Sequence, residues 1–161
     1  MLKKLFILLF LSFLIFGCSK KNKKEIVELP IDEREAVQEI YDEAVVALEK
    51  GDAYYASKKF KEAENLLPST DWGAKSALMS AFALYSANFY ADSIFNLKRF
   101  IKQYPSDPNI TYAHYLVGIC YYEQILDEKK DLKPLLQSKK KFEFIVSEYP
   151  NTDYAIDAKF K

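Results

Sequence analysis

Glycine is scarce in this chain, at four residues among 161, and there are only six prolines, two cysteines and one histidine. So little glycine disfavours β-sandwiches and barrels, which need turn residues at short intervals, and leaves no Gly-rich loop to cradle a phosphate. A lone histidine, His114, has no second histidine for a metal site, and with Cys120 it falls two ligands short of a structural zinc site. No nucleophile elbow and no HExxH appears. Neither sign of charge is in excess, with 23 basic residues against 23 acidic, so net charge argues for neither nucleic acid nor an acidic partner. The paired carboxylates Glu62/Glu64 and Asp127/Glu128 read as solvated helix surface or insertion, as do the runs DEKKDLKP and SKKK. These absences weigh against an enzyme and against any cofactor.

What is abundant is aromatic: 12 Tyr and 12 Phe. The length suits one domain. At the N-terminus Lys3 and Lys4 precede a twelve-residue apolar run, Leu5 to Phe16, too short to span a bilayer but suited to a signal peptide. Ile15-Phe16-Gly17-Cys18 follows, a small residue directly before a cysteine, which resembles a bacterial lipobox. The resemblance implies removal of residues 1–17 and lipidation of Cys18, and Ser19 in the next position, not Asp, implies sorting to the outer membrane. The alternatives are a secreted protein with an unlipidated Cys18, or a short uncleaved anchor. Residues 18–31 then form a polar tether, whose lysines from Lys20 to Lys24 read as solvated, with contact to anionic lipid as the alternative. If Cys18 carries lipid, only Cys120 remains, and its apolar setting LVGICYY marks it as a buried small hydrophobe.

Residues 32–161 repeat. Pro68, Pro105 and Pro150 each end a pattern of small, apolar, apolar at offsets −12, −8 and −5: Ala56, Phe60, Ala63; Ser93, Leu97, Phe100; Ser138, Phe142, Ile145. That spacing marks one face of a helix with a stop after it. A second set recurs ahead of it at intervals of 37: Tyr41, Val45, Leu48; Leu78, Phe82, Tyr85; Tyr115, Ile119, Tyr122, with the small residues Ala44, Ala81 and Gly118 in the same register. Helix-turn-helix units are expected over about 37–70, 74–107 and 111–152, the third with some eight extra residues in its turn. Asn151-Thr152-Asp153 reads as a cap opening a fourth unit over 153–161. A solenoid needs a terminal unit with a polar outer face, so the sequence is expected to continue past Lys161. The stretch RFIKQYPSDPNITYAHYLVGICYY, from Arg99 to Tyr122, is on this reading a joint between repeats, and His114 fills a helix-packing slot in it.

The unit resembles the tetratricopeptide repeat, which makes the expected fold all-α, a solenoid of antiparallel helix pairs. In that repeat the first helix of each pair lines the concave face. The resemblance therefore places Tyr41, Leu78, Phe82, Tyr85, Tyr112, Tyr115, Ile119 and Tyr122 along one groove, together with Val45 and Leu48. Tyrosine combines apolar area with a hydroxyl and suits peptide capture; the competing reading is that these rings pack helix against helix.

Residues 38–161 as a whole resemble the BamD (YfiO/ComL) family of outer-membrane assembly lipoproteins. The likeness rests on the lipobox, EIYDEAVVALEKGDAYYASKKFKEAE, RFIKQYPSDPNITYAHYLVGICYY and the insertion before YPNTDYAIDA. It implies a non-catalytic role in folding and inserting β-barrel outer membrane proteins. The implied partners are the barrel-forming BamA, other assembly lipoproteins and unfolded barrel polypeptides, at the periplasmic face of the outer membrane. The N-terminal repeats would receive substrate, and later repeats would dock BamA. Another repeat lipoprotein, such as a pilotin or scaffold for secretin or pilus assembly, is the alternative.

Overall fold

The computed structural model describes residues 31–125 and 131–161, and Cys18 with its flanking lipobox and tether lies outside them. Among the described residues all regular structure is helical: α1 (Ile31–Glu49), α2 (Ala53–Leu66), α3 (Asp71–Ser86), α4 (Tyr90–Gln103), α5 (Ile110–Tyr122), α6 (Lys133–Glu148) and α7 (Asp153–Ala158). Each helix packs on its sequence neighbours. Beyond these, α1 meets α3 and α5 meets α7. Both of these backbone approaches join first helices of hairpins, as in a solenoid of stacked helix pairs.

Local chemistry explains the punctuation. Gly51 closes α1 with φ +83 and Asn88 closes α3 with φ 65, the left-handed conformation that ends helices. Thr70 and Thr152 open α3 and α7 in the same way. Thr70 Oγ1 accepts from the Gly73 amide at 3.1 Å and donates to the Leu67 carbonyl at 2.7 Å. Thr152 Oγ1 accepts from the Ala155 amide at 3.2 Å and donates to the Tyr149 carbonyl at 2.9 Å. Because Thr70 caps, the second hairpin begins at Asp71, ahead of the position 74 expected from the spacing of the repeat.

All nine residues of the pre-proline pattern are buried, from Ala56, Phe60 and Ala63 to Ser138, Phe142 and Ile145. The small positions let the paired helices cross closely. In the second hairpin Ser93 Oγ donates to the Ala81 carbonyl at 2.9 Å, and in the third Ser138 Oγ donates to the Gly118 carbonyl at 3.2 Å. These are the same two repeat positions, so one polar stitch recurs at each crossing. A second polar seam joins the first hairpin to the next: Ser80 Oγ donates to the Ser57 carbonyl at 3.0 Å, and Asn96 Nδ2 donates to Ser80 Oγ at 3.3 Å.

Glu64 departs from its sequence reading as solvated surface. It is 1% exposed, and its carboxylate is held by a fork from Arg99 of α4, Nη2 donating to Oε2 at 2.8 Å and Nη1 donating to Oε1. Lys61 Nζ adds 2.8 Å to Oε2, and the Tyr104 hydroxyl donates to Oε1 at 3.3 Å. A surface carboxylate became a core one because Arg99, 35 residues away, arrives only when α4 folds over α2. Burial alone pushes the Glu64 carboxyl up, but the Arg99 and Lys61 hydrogen bonds outweigh it and hold the group below its ordinary 4.5.

Two sets of variants check this packing. A Cβ at Gly73 would stand 2.3 Å from the Leu67 carbonyl oxygen, whereas one at Gly118 would meet only the Phe142 ring edge at 2.8 Å. Gly73→Ala is expected to cost about 1–3 kcal/mol of unfolding free energy in urea titration, and Gly118→Ala less, because a ring can turn aside and a backbone carbonyl cannot. Arg99→Met leaves the Glu64 charge buried without its fork and is expected to cost about 3–5 kcal/mol. Since the folded Glu64 value is depressed, the bridge's contribution is complete at neutral pH and is lost as pH falls below about 4.5 through the folded value. A Glu64→Gln variant that kept the wild-type acid-unfolding profile would contradict this.

Candidate functional site

The first-helix face is where the expected groove residues fall, and the structure divides them. Tyr41, Leu78 and Ile119 are buried, at 7%, 8% and 6% exposure, so they are core and not groove lining. Tyr41 packs edge-on against Phe60 of α2 at 5.0 Å and Trp72 of α3 at 5.6 Å, with Lys75 Nζ 4.5 Å above its ring. Its hydrophobic cluster joins the first hairpin to α3 through Ala83, Trp72 and Met79, and is separate from the larger cluster that holds Leu78 and Ile119. Repeat position alone does not decide this: Tyr41 and Leu78 at spacing 0 are buried while Tyr115 at the same position is half-buried, and Ile119 at +4 is buried while Phe82 at +4 is not.

Phe82, Tyr85, Tyr112 and Tyr115 are half-buried, and Tyr122 is exposed. These form a strip with two residues that sequence reasoning missed, Tyr90 and Tyr154. Phe82 lies 6.2 Å from Tyr85, and Tyr85 lies 6.1 Å from Tyr90. Tyr154 of α7 stands 5.6 Å from Tyr112 and 5.2 Å from Tyr115. Tyr115 and Tyr122 both lean on Phe142, at 6.2 and 6.3 Å. Tyr90 begins a second helix and enters the strip only because the hairpin folds it back. Tyr154 was visible in the repeat pattern as the counterpart of Trp72 after a capping threonine, a signal that the short fourth unit obscured.

The strip is apolar in body and phenolic at its edges. Burial, then the proximity of Tyr154, Tyr85 and Cys120, pushes the Tyr112 hydroxyl up to about 12. Tyr115 is raised further by burial and by donating its proton to Asp157. Tyr112 and Tyr115 are thus held as neutral phenols, and the face offers mainly rings and hydroxyls, with Asp157 bonded to Tyr115 and Glu123 near Tyr85 and Tyr90 at its edges. Tyr115 is also committed to joining α5 to α7, which leaves Phe82, Tyr85 and Tyr112 as the residues freest to meet a ligand.

Nothing else on the described surface supports chemistry. No three His, Cys, Asp or Glu side chains of the described residues gather as a metal site, and none of the described helices is long and apolar enough to cross a membrane. Cys120 is buried, and burial pushes its thiol up to about 11. His114 packs its ring 4.7 Å from Phe144 and 6.2 Å from Tyr149, and its buried Nδ1 has no partner. Burial and then the Lys141 ammonium lower it from 6.5 to about 4.

Comparison with known proteins gives a consistent picture. Residues 33–161 match the family model YfiO, described as outer membrane lipoprotein. A protein of Caulobacter vibrioides named outer membrane protein assembly factor BamD is 37% identical over 147 residues, covering 91% of this chain and 47% of that one. Proteins of the same name from Rickettsia prowazekii and Xylella fastidiosa (strain Temecula1) are 31% and 30% identical, over 99% and 95% of this chain and 61% and 54% of theirs. The chain thus spans roughly half the length of the relatives it matches.

His114 and Cys120 yield a prediction each. The depressed His114 value means that the neutral ring favours the folded state. Its contribution is full above pH 6.5 and is lost as pH falls from 6.5 toward about 4. His114→Phe should flatten the stability–pH slope in that window, a slope bounded by about 1.4 kcal/mol per pH unit. Cys120 should react with a thiol reagent in the native protein only at the rate of unfolding, measured by comparing labelling with and without urea.

Proposed function

The chain belongs to the YfiO family of outer membrane lipoproteins, and from that premise we propose that it is a non-catalytic factor of the β-barrel assembly machinery, holding unfolded segments of outer membrane proteins on its first-helix face. The protein sits at the periplasmic face of the outer membrane, anchored by lipid on Cys18, and works with the barrel-forming BamA and other assembly lipoproteins. The single observation that supports substrate holding is the strip from Phe82 through Tyr85, Tyr90, Tyr112 and Tyr115 to Tyr154, half-buried rings on adjoining helices.

Strands of membrane barrels alternate apolar and polar side chains and carry aromatic girdles near the interfaces. An extended segment rises about 3.3 Å per residue, so every second side chain, about 6.6 Å apart, points to one face. Within each of its two groups, Phe82–Tyr85–Tyr90 and Tyr112–Tyr154–Tyr115, neighbouring rings lie 5.2 to 6.2 Å apart, a spacing that suits the apolar side of such a segment. Phenolic hydroxyls supply hydrogen bonds to the peptide backbone without demanding a particular sequence. Affinity is modest, because the segment loses its conformational freedom on binding, and release to the membrane therefore needs no chemical step. Two or more acyl chains hold the scaffold stably at the surface where barrels insert.

The test is binding of a fluorescent peptide from the last strand of an outer membrane barrel. Tyr85→Ala combined with Tyr112→Ala should weaken capture at least tenfold, the effect of about 1.4 kcal/mol. Tyr41→Ala should instead act through stability, since that ring is in the core. Unchanged peptide binding by the double variant, with helical circular dichroism intact, removes the first-helix face from the mechanism.

A further inference from the structure

The opposite side of the solenoid carries a pattern that peptide holding does not use. Each second helix presents an outward stripe at i, i+4, i+7 and i+11, the spacing of one helix face. On α2 it begins with Tyr54 and Lys58. On α4 it runs through Phe95, Lys98 and Lys102, and on α6 it includes Leu136 and Lys140. All seven side chains are exposed. Phe95 is 70% exposed, Leu136 58% and Tyr54 57%, each beside a lysine of its own stripe. They fall in small apolar clusters among the lysines, Leu136 beside the exposed Leu132 and Leu135. Lys58 Nζ lies 5.4 Å over the Tyr54 ring, and Tyr54 meets Phe89 edge-on at 6.3 Å, which joins the stripes of α2 and α4.

The charge of the two layers is segregated although the chain is neutral overall. Each second helix has more basic than acidic residues: three lysines against two glutamates on α2, Lys98, Arg99 and Lys102 against Asp92 on α4, four lysines against two glutamates on α6. Helix α1, in the other layer, carries seven acidic residues and one arginine. The acidic groups on the second-helix side are largely compensated: Glu62 pairs with Lys59 at 3.3 Å, Glu143 with Lys139 at 3.7 Å, and Glu64 is enclosed by Arg99 and Lys61. Lys98 donates to the Tyr121 hydroxyl at 3.0 Å and keeps its charge at the surface.

We propose that the outward face of α2, α4 and α6 docks on an anionic phospholipid surface, its lysines meeting headgroups while Phe95, Tyr54 and Leu136 enter the interface. The chemistry is that of interfacial binding, in which basic residues are drawn to a negative surface and rings and leucines bury in the headgroup boundary. An acidic protein partner would need a contiguous interface of about 800 Å² per side, and small apolar clusters spread over three helices and interrupted by lysines supply no single apolar centre. The acidic α1 on the opposite layer is repelled by the same surface, so the solenoid settles with its tyrosine strip turned away from the lipid. Docking adds to whatever anchor the chain carries and fixes an orientation that a flexible tether alone leaves free.

The experiment is co-sedimentation of the full chain with vesicles of phosphatidylethanolamine alone or with a quarter phosphatidylglycerol, at low and at physiological salt. Every protein carries Cys18→Ser, so that acylation is absent and the N-terminal segment contributes equally throughout. Lys58→Gln, Lys102→Gln and Lys140→Gln together should weaken binding to the anionic vesicles by roughly a hundredfold, about fivefold per lysine, and the wild-type binding should fall with salt. A control triple, Lys50→Gln, Lys75→Gln and Lys159→Gln, changes net charge equally and should lose far less. Phe95→Ser should weaken binding with little change in the salt dependence. Equal losses in the two triples, or equal binding to neutral and anionic vesicles, would overturn the proposal. So would unchanged vesicle binding by the first triple alongside loss of a co-purifying acidic envelope protein, which would assign the face to that protein.

Discussion

The close crossing of the two helices in each hairpin is the constraint on which the structure depends. Ala44, Ala81 and Gly118 at the centre of the first helices face the positions of Ala56, Ser93 and Ser138 on the second, and all six are buried. Small side chains bring backbones near enough for a serine hydroxyl to reach a helical carbonyl, as Ser93 and Ser138 do. A larger residue at either position would push the helices apart, unseat Phe60, Leu97 or Phe142 one turn away, and misalign the following hairpin. The rod is therefore built from local geometry repeated, and each unit inherits its orientation from the one before.

One element interrupts that apolar logic. Glu64 and Arg99 bury a charge between the first and second hairpins, where a hydrophobic pair could have packed. Buried ion pairs contribute little net stability compared with apolar substitutes, but they tolerate no alternative partner. The fork to Arg99, with Tyr104 and Lys61 completing the shell, accepts only one register of α4 on α2. A repeat whose units resemble one another is at risk of stacking out of register, and a directional buried bridge resists that failure.

With the register set, the two layers acquire different surfaces. First helices come together, and their half-buried tyrosines gather in a ring-rich strip across α3, α5 and α7. Second helices keep lysines and exposed rings in solvent. The two layers thus differ in chemistry, one presenting half-buried rings and the other exposed lysines. Cys120 and His114 serve as packing, one with its thiol pushed up by burial and the other kept neutral by burial.

The repeat, its helices and its core were determined by the sequence itself, because spacing of small and apolar residues between prolines is a local property that one chain displays in one dimension. Capping at Thr152, the left-handed closures at Gly51 and Asn88 and the burial of Cys120 follow from residue type and position in the same way. Only the tertiary structure decided which aromatic rings are core and which are surface. Tyr41 and Tyr115 share a repeat position, yet Trp72 and Phe60 close over the first, while the second reaches Tyr154 and Asp157. It also decided that Glu64 is enclosed and that Tyr90 and Tyr154 join the strip. These outcomes turn on neighbours tens of residues away, and periodicity along a chain carries no information about which distant side chain arrives to cover a given ring.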